Sequence, residues 1–392
     1  VNNDRVSDAN EDSMIRFLGI AAALLGACLA GSPAGVGQQL EQSDFDRFFR
    51  PPAEYANDFG EYRSPLKFYD GSEVKTAEDW QRRRSEILDR WHQIMGSPPL
   101  LIEKPNIEYV KQQRRENFTQ HHVVIEMAPD LMHPAILLVP DGEGPFPAVV
   151  VPFYWAETGA GLPREPGGPQ PTGAIFGYEL TKRGFVTLSL GFPGSLYYPS
   201  KEQLQLQPLS ALAYVAANCH TALANLPEVD PDRIGIVGHS YGGKWAMFAS
   251  CLYDKFACAA WSDGGVVFDE KRGNVNYWEP WYLGYESGQP QRQAGIPNQD
   301  NPRTGAYRQL VEQGLDLHEL HALLAPRPFL VSGGAEDRPE RWKALNHAIA
   351  VNKLLGYTDR VAMTNREGHS PTLESNGQIY LFFERFLQSK ND

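Results

Sequence analysis

From residue 118 onward, apolar and polar positions follow two alternating rhythms. Residues 118–127 repeat with the two-residue period of a half-exposed strand, and 135–139 supply its apolar partner. A turn at Asp141-Gly142-Glu143-Gly144-Pro145 leads into 146–152, continuously apolar and so a more buried strand. Beyond a long Pro- and Gly-rich loop, 153–172, the pattern predicts a helix over 173–183, a strand over 185–190 and an alanine-rich helix over 209–226. Strands at 234–237, 256–261, 327–331 and 360–364 then alternate with helices at 244–252, 338–355 and 373–387. That alternation predicts an α/β fold, its mostly parallel sheet covered by helices on both faces. Upstream, Trp80, Ile87, Leu88, Trp91 and Met95 recur at three- and four-residue spacings, with Arg82, Arg83 and Arg84 assigned to the opposite face. This is an amphipathic helix within a leader, 45–117, laid on the main domain of 118–392.

The N-terminal stretch has a different character. Residues 1–13 are acidic and read as an upstream extension before Met14. Residues 14–30 then have the charged start, short apolar run and small residues of an export signal, with cleavage near Ala30 or Ala34. Leu25-Gly26-Ala27-Cys28 also resembles a bacterial lipobox, in which Cys28 would carry a lipid anchor. Residues 31–44 form a Gly/Gln-rich linker. The expected destination is periplasmic, extracellular or lipid-anchored to a bacterial membrane. Export permits disulfides, so Cys251 and Cys258 either pair or, with Cys219, remain buried thiols. A net charge of −12 argues against nucleic acid as partner, since that needs a basic face. No Cys or His spacing suggests a metal, and no cofactor is implied.

The chemistry centres on Gly238-His239-Ser240-Tyr241-Gly242, between the strand at 234–237 and the helix at 244–252. A strand turning straight into a helix through G-x-S-x-G holds the serine in a strained conformation and presents its Oγ beside a helix N-terminus. Serine needs a base, and His369, in a glycine-containing loop after the last strand, is the candidate. The imidazole needs a carboxylate: Asp337 follows the penultimate strand and is preferred, while Asp263, after the strand next to the elbow, is the alternative.

From the elbow and these downstream residues, the chain resembles an α/β-hydrolase from about residue 118 onward. The resemblance implies an oxyanion hole made by the N–H of Tyr241 with that of Tyr154 or Trp155. Within the superfamily, the leader with Arg82-Arg83-Arg84 through Trp91 and Met95-Gly96 is similar to bacterial acetyl xylan esterase-like and dienelactone hydrolase-like proteins. Gly238-His239-Ser240-Tyr241-Gly242-Gly243-Lys244 is also similar to the elbow of glucuronoyl esterases, whose lysine at the place of Lys244 binds sugar hydroxyls. Those enzymes have cysteine and arginine where this chain has His239 and Tyr241, and an acid at Asp263 fits them better than one at Asp337. A surface helix lysine is the competing reading of Lys244.

The rhythm breaks at 264–305, an insertion placed over the nucleophile and rich in aromatics among amides. Trp278, Trp281 and Tyr282 are candidates for stacking on a sugar, or else for packing the loop. The favoured expectation is an exported serine esterase removing O-acetyl or similar groups from polysaccharide. A glucuronoyl esterase is the alternative. Peptidase activity, or a non-catalytic carbohydrate-binding role, ranks lower.

Overall fold

The computed structural model describes residues 45–193 and 206–388. The extension, the export signal with Cys28, and the linker lie outside the described residues. The strands are β1 Ile107–Arg115, β2 Phe118–Ala128, β3 Leu131–Pro140, β4 Phe146–Pro152, β5 Val186–Leu190, β6 Val229–His239, β7 Ala259–Ser262, β8 Phe329–Gly333 and β9 Val361–Asn365. They form one sheet in the order β1-β2-β3-β5-β4-β6-β7-β8-β9. Pairing is antiparallel from β1 to β5 and parallel from β5 through β9.

The helices are α1 Ala77–Met95, α2 Ala156–Gly159, α3 Phe176–Lys182, α4 Pro208–Ala224, α5 Tyr241–Leu252, α6 Gly305–Glu312, α7 His318–Leu323, α8 Trp342–Leu354 and α9 Leu373–Phe383. Because successive strand side chains point to opposite faces, the sheet feeds two cores. Val150, Ile236, Trp261, Val331 and Met363 pack with α1, α4, α5, α7 and α8. Their neighbours Val149, Val237, Ala260, Leu330 and Ala362 pack with Phe45, Phe49, α3 and α9. Each central strand is apolar on both sides, which is why those segments read as continuous apolar runs.

Strand β1 was not foreseen. It is an edge strand whose interior positions, including Glu108, Lys111 and Arg114, are exposed, so it carries no apolar alternation. It places residues 107–115, assigned to the leader from sequence, in the sheet itself. The helix expected over 173–183 is confined to Phe176–Lys182.

Helix α1 begins at a reciprocal cap between Thr76 and Asp79. It buries Trp80, Ile87, Trp91 and Met95 as its spacing predicts, but also Arg83, assigned from sequence to the solvent face. Arg83 meets the buried carboxylate of Glu319 on α7 at 3.0 Å and Glu86 at 2.6 Å. Tyr69 Oη and Trp91 Nε1 also donate to Glu319, at 2.9 and 3.4 Å. A buried cation is tolerable only with such partners, and they lock the leader helix to the main domain. Cys219, Cys251 and Cys258 are buried free thiols, so the pairing of Cys251 with Cys258 does not occur.

Candidate active site

The elbow between β6 and α5 has the close approaches its sequence requires. Ser240 sits at φ 55° and ψ −113°, a sparsely populated region for a side-chain-bearing residue. A Cβ on Gly238 would run into the backbone of Gly242, and one on Gly242 into the Pro152 carbonyl at the end of β4. Glycine at both positions lets the elbow close against the neighbouring strand. Ser240 N–H donates to the Ser262 carbonyl at 2.8 Å, tying the elbow to β7.

His369 Nε2 lies 2.9 Å from Ser240 Oγ, and its Nδ1 lies 2.6 Å from Asp263 Oδ2. An ionised carboxylate only accepts, so Nδ1 carries the proton and the Nε2 lone pair faces the serine hydroxyl. The other Asp263 oxygen accepts from the N–H groups of Asp337 and Glu336 at 2.8 and 3.1 Å. Burial alone would raise the Asp263 carboxyl. The bond to His369, the Asp337 N–H and the nearby Arg366 outweigh it and hold the group below its ordinary value.

The preferred acid of the sequence reading, Asp337, is therefore not the partner of the imidazole. It is fully buried, and its two oxygens accept from Gly265 N–H at 2.8 Å and Val266 N–H at 2.7 Å. It thus secures the chain just beyond Asp263. Burial, with repulsion from Asp263 next, raises it to about 6. The physical reason for the correction is the direction of the turn after β8. It points the N–H groups of Glu336 and Asp337 at the Asp263 carboxylate and turns the Asp337 carboxylate toward Gly265 and Val266, away from His369. Gly334 makes room there, since a Cβ on it would stand 2.8 Å from Asp263 Oδ2.

Sequence reasoning missed Arg366. Its guanidinium donates to the carbonyls of His369 (2.6 Å), Ser332 (2.8 Å), Ser370 (3.0 Å) and Gly333 (3.3 Å), and to Ser262 Oγ (3.2 Å). One side chain thereby joins the ends of β7 and β8 to the histidine loop. Its position three residues before His369 was the available signal. His239 is buried with its ring 4.7 Å from that of His369, and Nδ1 bonded to the Ser262 carbonyl at 3.1 Å. Burial, then the neighbouring His369 and Arg366, pushes its pKa well down, so it adds no cation beside the base.

Around the serine, the rings of Tyr154 and Tyr241 stack at 4.8 Å, placing the loop after β4 beside the elbow. Trp155 caps α2 and lies under the Arg164 guanidinium at 4.1 Å. Tyr282 reaches Tyr241 from the insertion at 5.7 Å, with the half-buried Trp281 behind it at 6.1 Å. Trp278 is different: it is 1% exposed, packs edge-on against Tyr307 and donates Nε1 to Glu279, so it holds the insertion together.

Lys244 is no surface lysine. It is 3% exposed and its Nζ donates to the carbonyls of Gly264 (2.6 Å) and Asn274 (3.2 Å), with the Tyr277 and Tyr282 rings at 5.0 and 5.6 Å. Burial lowers its pKa to about 8 against the attraction of Asp337, Glu336 and Asp263.

A nine-stranded sheet of the α/β-hydrolase fold with serine, histidine and aspartate in hydrogen-bonded series defines a serine hydrolase. A model of the prolyl oligopeptidase family matches residues 216–389. Among curated proteins, a 4-O-methyl-glucuronoyl methylesterase of Podospora anserina is 23% identical over 360 residues, 87% of this chain and 69% of the relative. Among solved structures, a glucuronoyl esterase from Solibacter usitatus superposes with a TM-score of 0.64 at 20% identity, covering 84% of this chain and 99% of that one. A carbohydrate esterase family 15 glucuronoyl esterase from Caldicellulosiruptor kristjansonii gives 0.59 at 21% identity, covering 84% and 91%.

Proposed function

We propose that this chain is an exported serine carboxylesterase cleaving uronate esters of carbohydrate, that is, a glucuronoyl esterase rather than the deacetylase favoured from sequence. The observation carrying this reading is the position of the acid. Asp263 follows the strand after the elbow and meets His369 at 2.6 Å, with Lys244 buried four residues beyond Ser240. This is the arrangement that the sequence resemblance to glucuronoyl esterases implied, and the relatives support it.

Ser240 Oγ attacks the ester carbonyl as its proton passes to His369 Nε2, 2.9 Å away. Asp263 fixes the ring and stabilises the imidazolium. The tetrahedral oxyanion is held by main-chain N–H groups, that of Tyr241 at the start of α5 with Tyr154 or Trp155, since tyrosine replaces the arginine of the resembling elbow. His369 then protonates the leaving alcohol, and water returns through the same base to release the uronic acid. Tyr282, Trp281 and Lys244 form the sugar side, rings to the apolar face and ammonium to a hydroxyl.

The test is hydrolysis of benzyl glucuronate, of acetylated xylan and of a prolyl amide by wild type and Ser240→Ala. The reading predicts that wild type prefers the glucuronate ester and that the variant cleaves none. Preference for the acetylated polymer would restore the deacetylase, and preference for the amide a peptidase.

A further inference from the structure

Arg360 immediately precedes β9 and His369 follows it, so a five-residue strand, about 17 Å long, separates Arg360 from the catalytic edge of the sheet. On that far edge a cavity of about 390 Å³ opens between the chain at Phe49–Phe59, helix α8 and the segment entering β9. A second of about 540 Å³ adjoins it, and Tyr357 and Arg360 line both.

The lining is unusual for a chain of net charge −12. Arg50, Lys353 and Arg360 face the first cavity, and none of them takes part in an ion pair among the described residues. One carboxylate, Asp359, stands against the three cations there. In the second cavity Asp230 is engaged by Arg233 at 2.7 Å and Arg327 by Asp254 at 3.2 Å, leaving Arg360 facing Asp232. The Arg360 guanidinium lies over Tyr357 at 5.2 Å and Phe386 at 5.9 Å, which holds its plane; Nη1 donates to the Asp359 carbonyl at 3.4 Å, leaving the Nε and Nη2 edge for a bidentate acceptor. Beside it Tyr357 and Phe59 expose 41% and 39% of their surfaces.

We infer that this cleft binds a uronic-acid-bearing oligosaccharide away from the active site. The cations take the carboxylate, and the exposed rings take the apolar faces of neighbouring sugars. A bare phosphate would make no use of the rings, which the apolar faces of sugars cover. The choice of sugar rests on the proposed uronate-ester activity; the anion-plus-ring chemistry does not. An acidic polymer held here stays close to Ser240 after each release, so the cleft serves long substrates and not small ones.

The test compares Ser240→Ala with the same protein also carrying Lys353→Ala and Arg360→Ala. Each is titrated calorimetrically with a glucuronic-acid-substituted xylo-oligosaccharide, a neutral xylo-oligosaccharide and inorganic phosphate. Binding of the acidic oligosaccharide should weaken about tenfold in the triple variant, with the neutral one binding more weakly than the acidic one to the parent. In the Ser240 background, Lys353→Ala/Arg360→Ala should keep kcat/KM on benzyl glucuronate and lose it on the polymeric ester. Equal binding by both proteins overturns the inference, as does phosphate binding as tightly as the acidic oligosaccharide. Loss of benzyl glucuronate hydrolysis by wild type would instead strike the proposed activity and leave the binding result to stand by itself.

Discussion

Arg366→Ala isolates the contribution of a side chain that touches neither serine nor carboxylate. The guanidinium donates to four main-chain carbonyls and to Ser262 Oγ, at 2.6 to 3.3 Å, and two of those carbonyls, of His369 and Ser370, belong to the histidine loop. Hydrogen bonds from a charged donor are worth about 1.5–3 kcal/mol each when buried. Arg366 is only half-buried, and water can replace it at the exposed Ser370 carbonyl. The net loss of stability is therefore set by the inner contacts, about 2–3 kcal/mol and not the sum. The larger effect falls on catalysis. Released from Arg366, the loop no longer holds Nε2 at 2.9 Å from Ser240 Oγ, and a displacement near 1 Å costs about 100-fold in rate. Steady-state kinetics on benzyl glucuronate should show kcat down about 100-fold with KM nearly unchanged, partly restored by Arg366→Lys or by added methylguanidine. A variant destabilised in denaturant titration but with kcat intact would refute a positioning role and leave Arg366 a structural brace.

Asp337→Asn tests the buried carboxylate by pH. With its folded value raised to about 6, the folded protein holds this proton more tightly than the unfolded chain, so its contribution is present below about 4 and lost as pH rises through 6. Relative to the variant, wild-type unfolding free energy should fall by about 2 kcal/mol between pH 4 and 7, and parallel denaturation curves would contradict this. Arg83→Met strands the buried Glu319 carboxylate and should cost about 3–5 kcal/mol, with Arg83→Met/Glu319→Gln recovering much of it; an additive double variant would argue against the pairing. Two carbonyls occupy two Lys244 N–H groups, and the third exists only in the ammonium. KM for benzyl glucuronate should accordingly rise above about pH 8 in wild type and be flat and high in Lys244→Met, whereas a parallel profile would remove Lys244 from the sugar site.

The elbow, the order of elements and His369 were legible because each is a local pattern: apolar runs, glycine spacing, a loop after the last strand. The choice between Asp263 and Asp337 was not, because both follow strand ends and both are buried beside the same loop. What separates them is the direction of one turn, Asp337 offering its N–H and Asp263 its oxygen. Strand β1 escaped because an exposed edge strand has no apolar alternation to read. Arg83 looked like one of three solvent arginines, and only its contact with Glu319, 236 residues away, shows why it is inside. Trp278 and Tyr282 have the same sequence signature, and packing alone sends one to Tyr307 and the other to Tyr241.

The most direct test of the account is kcat/KM on benzyl glucuronate for Asp263→Asn and Asp337→Asn side by side. The geometry predicts a loss of about 10³–10⁴-fold for Asp263→Asn, whose amide no longer selects the productive tautomer of His369, against less than about tenfold for Asp337→Asn. The reverse order would contradict the assignment of Asp263 and return the acid to the loop after β8.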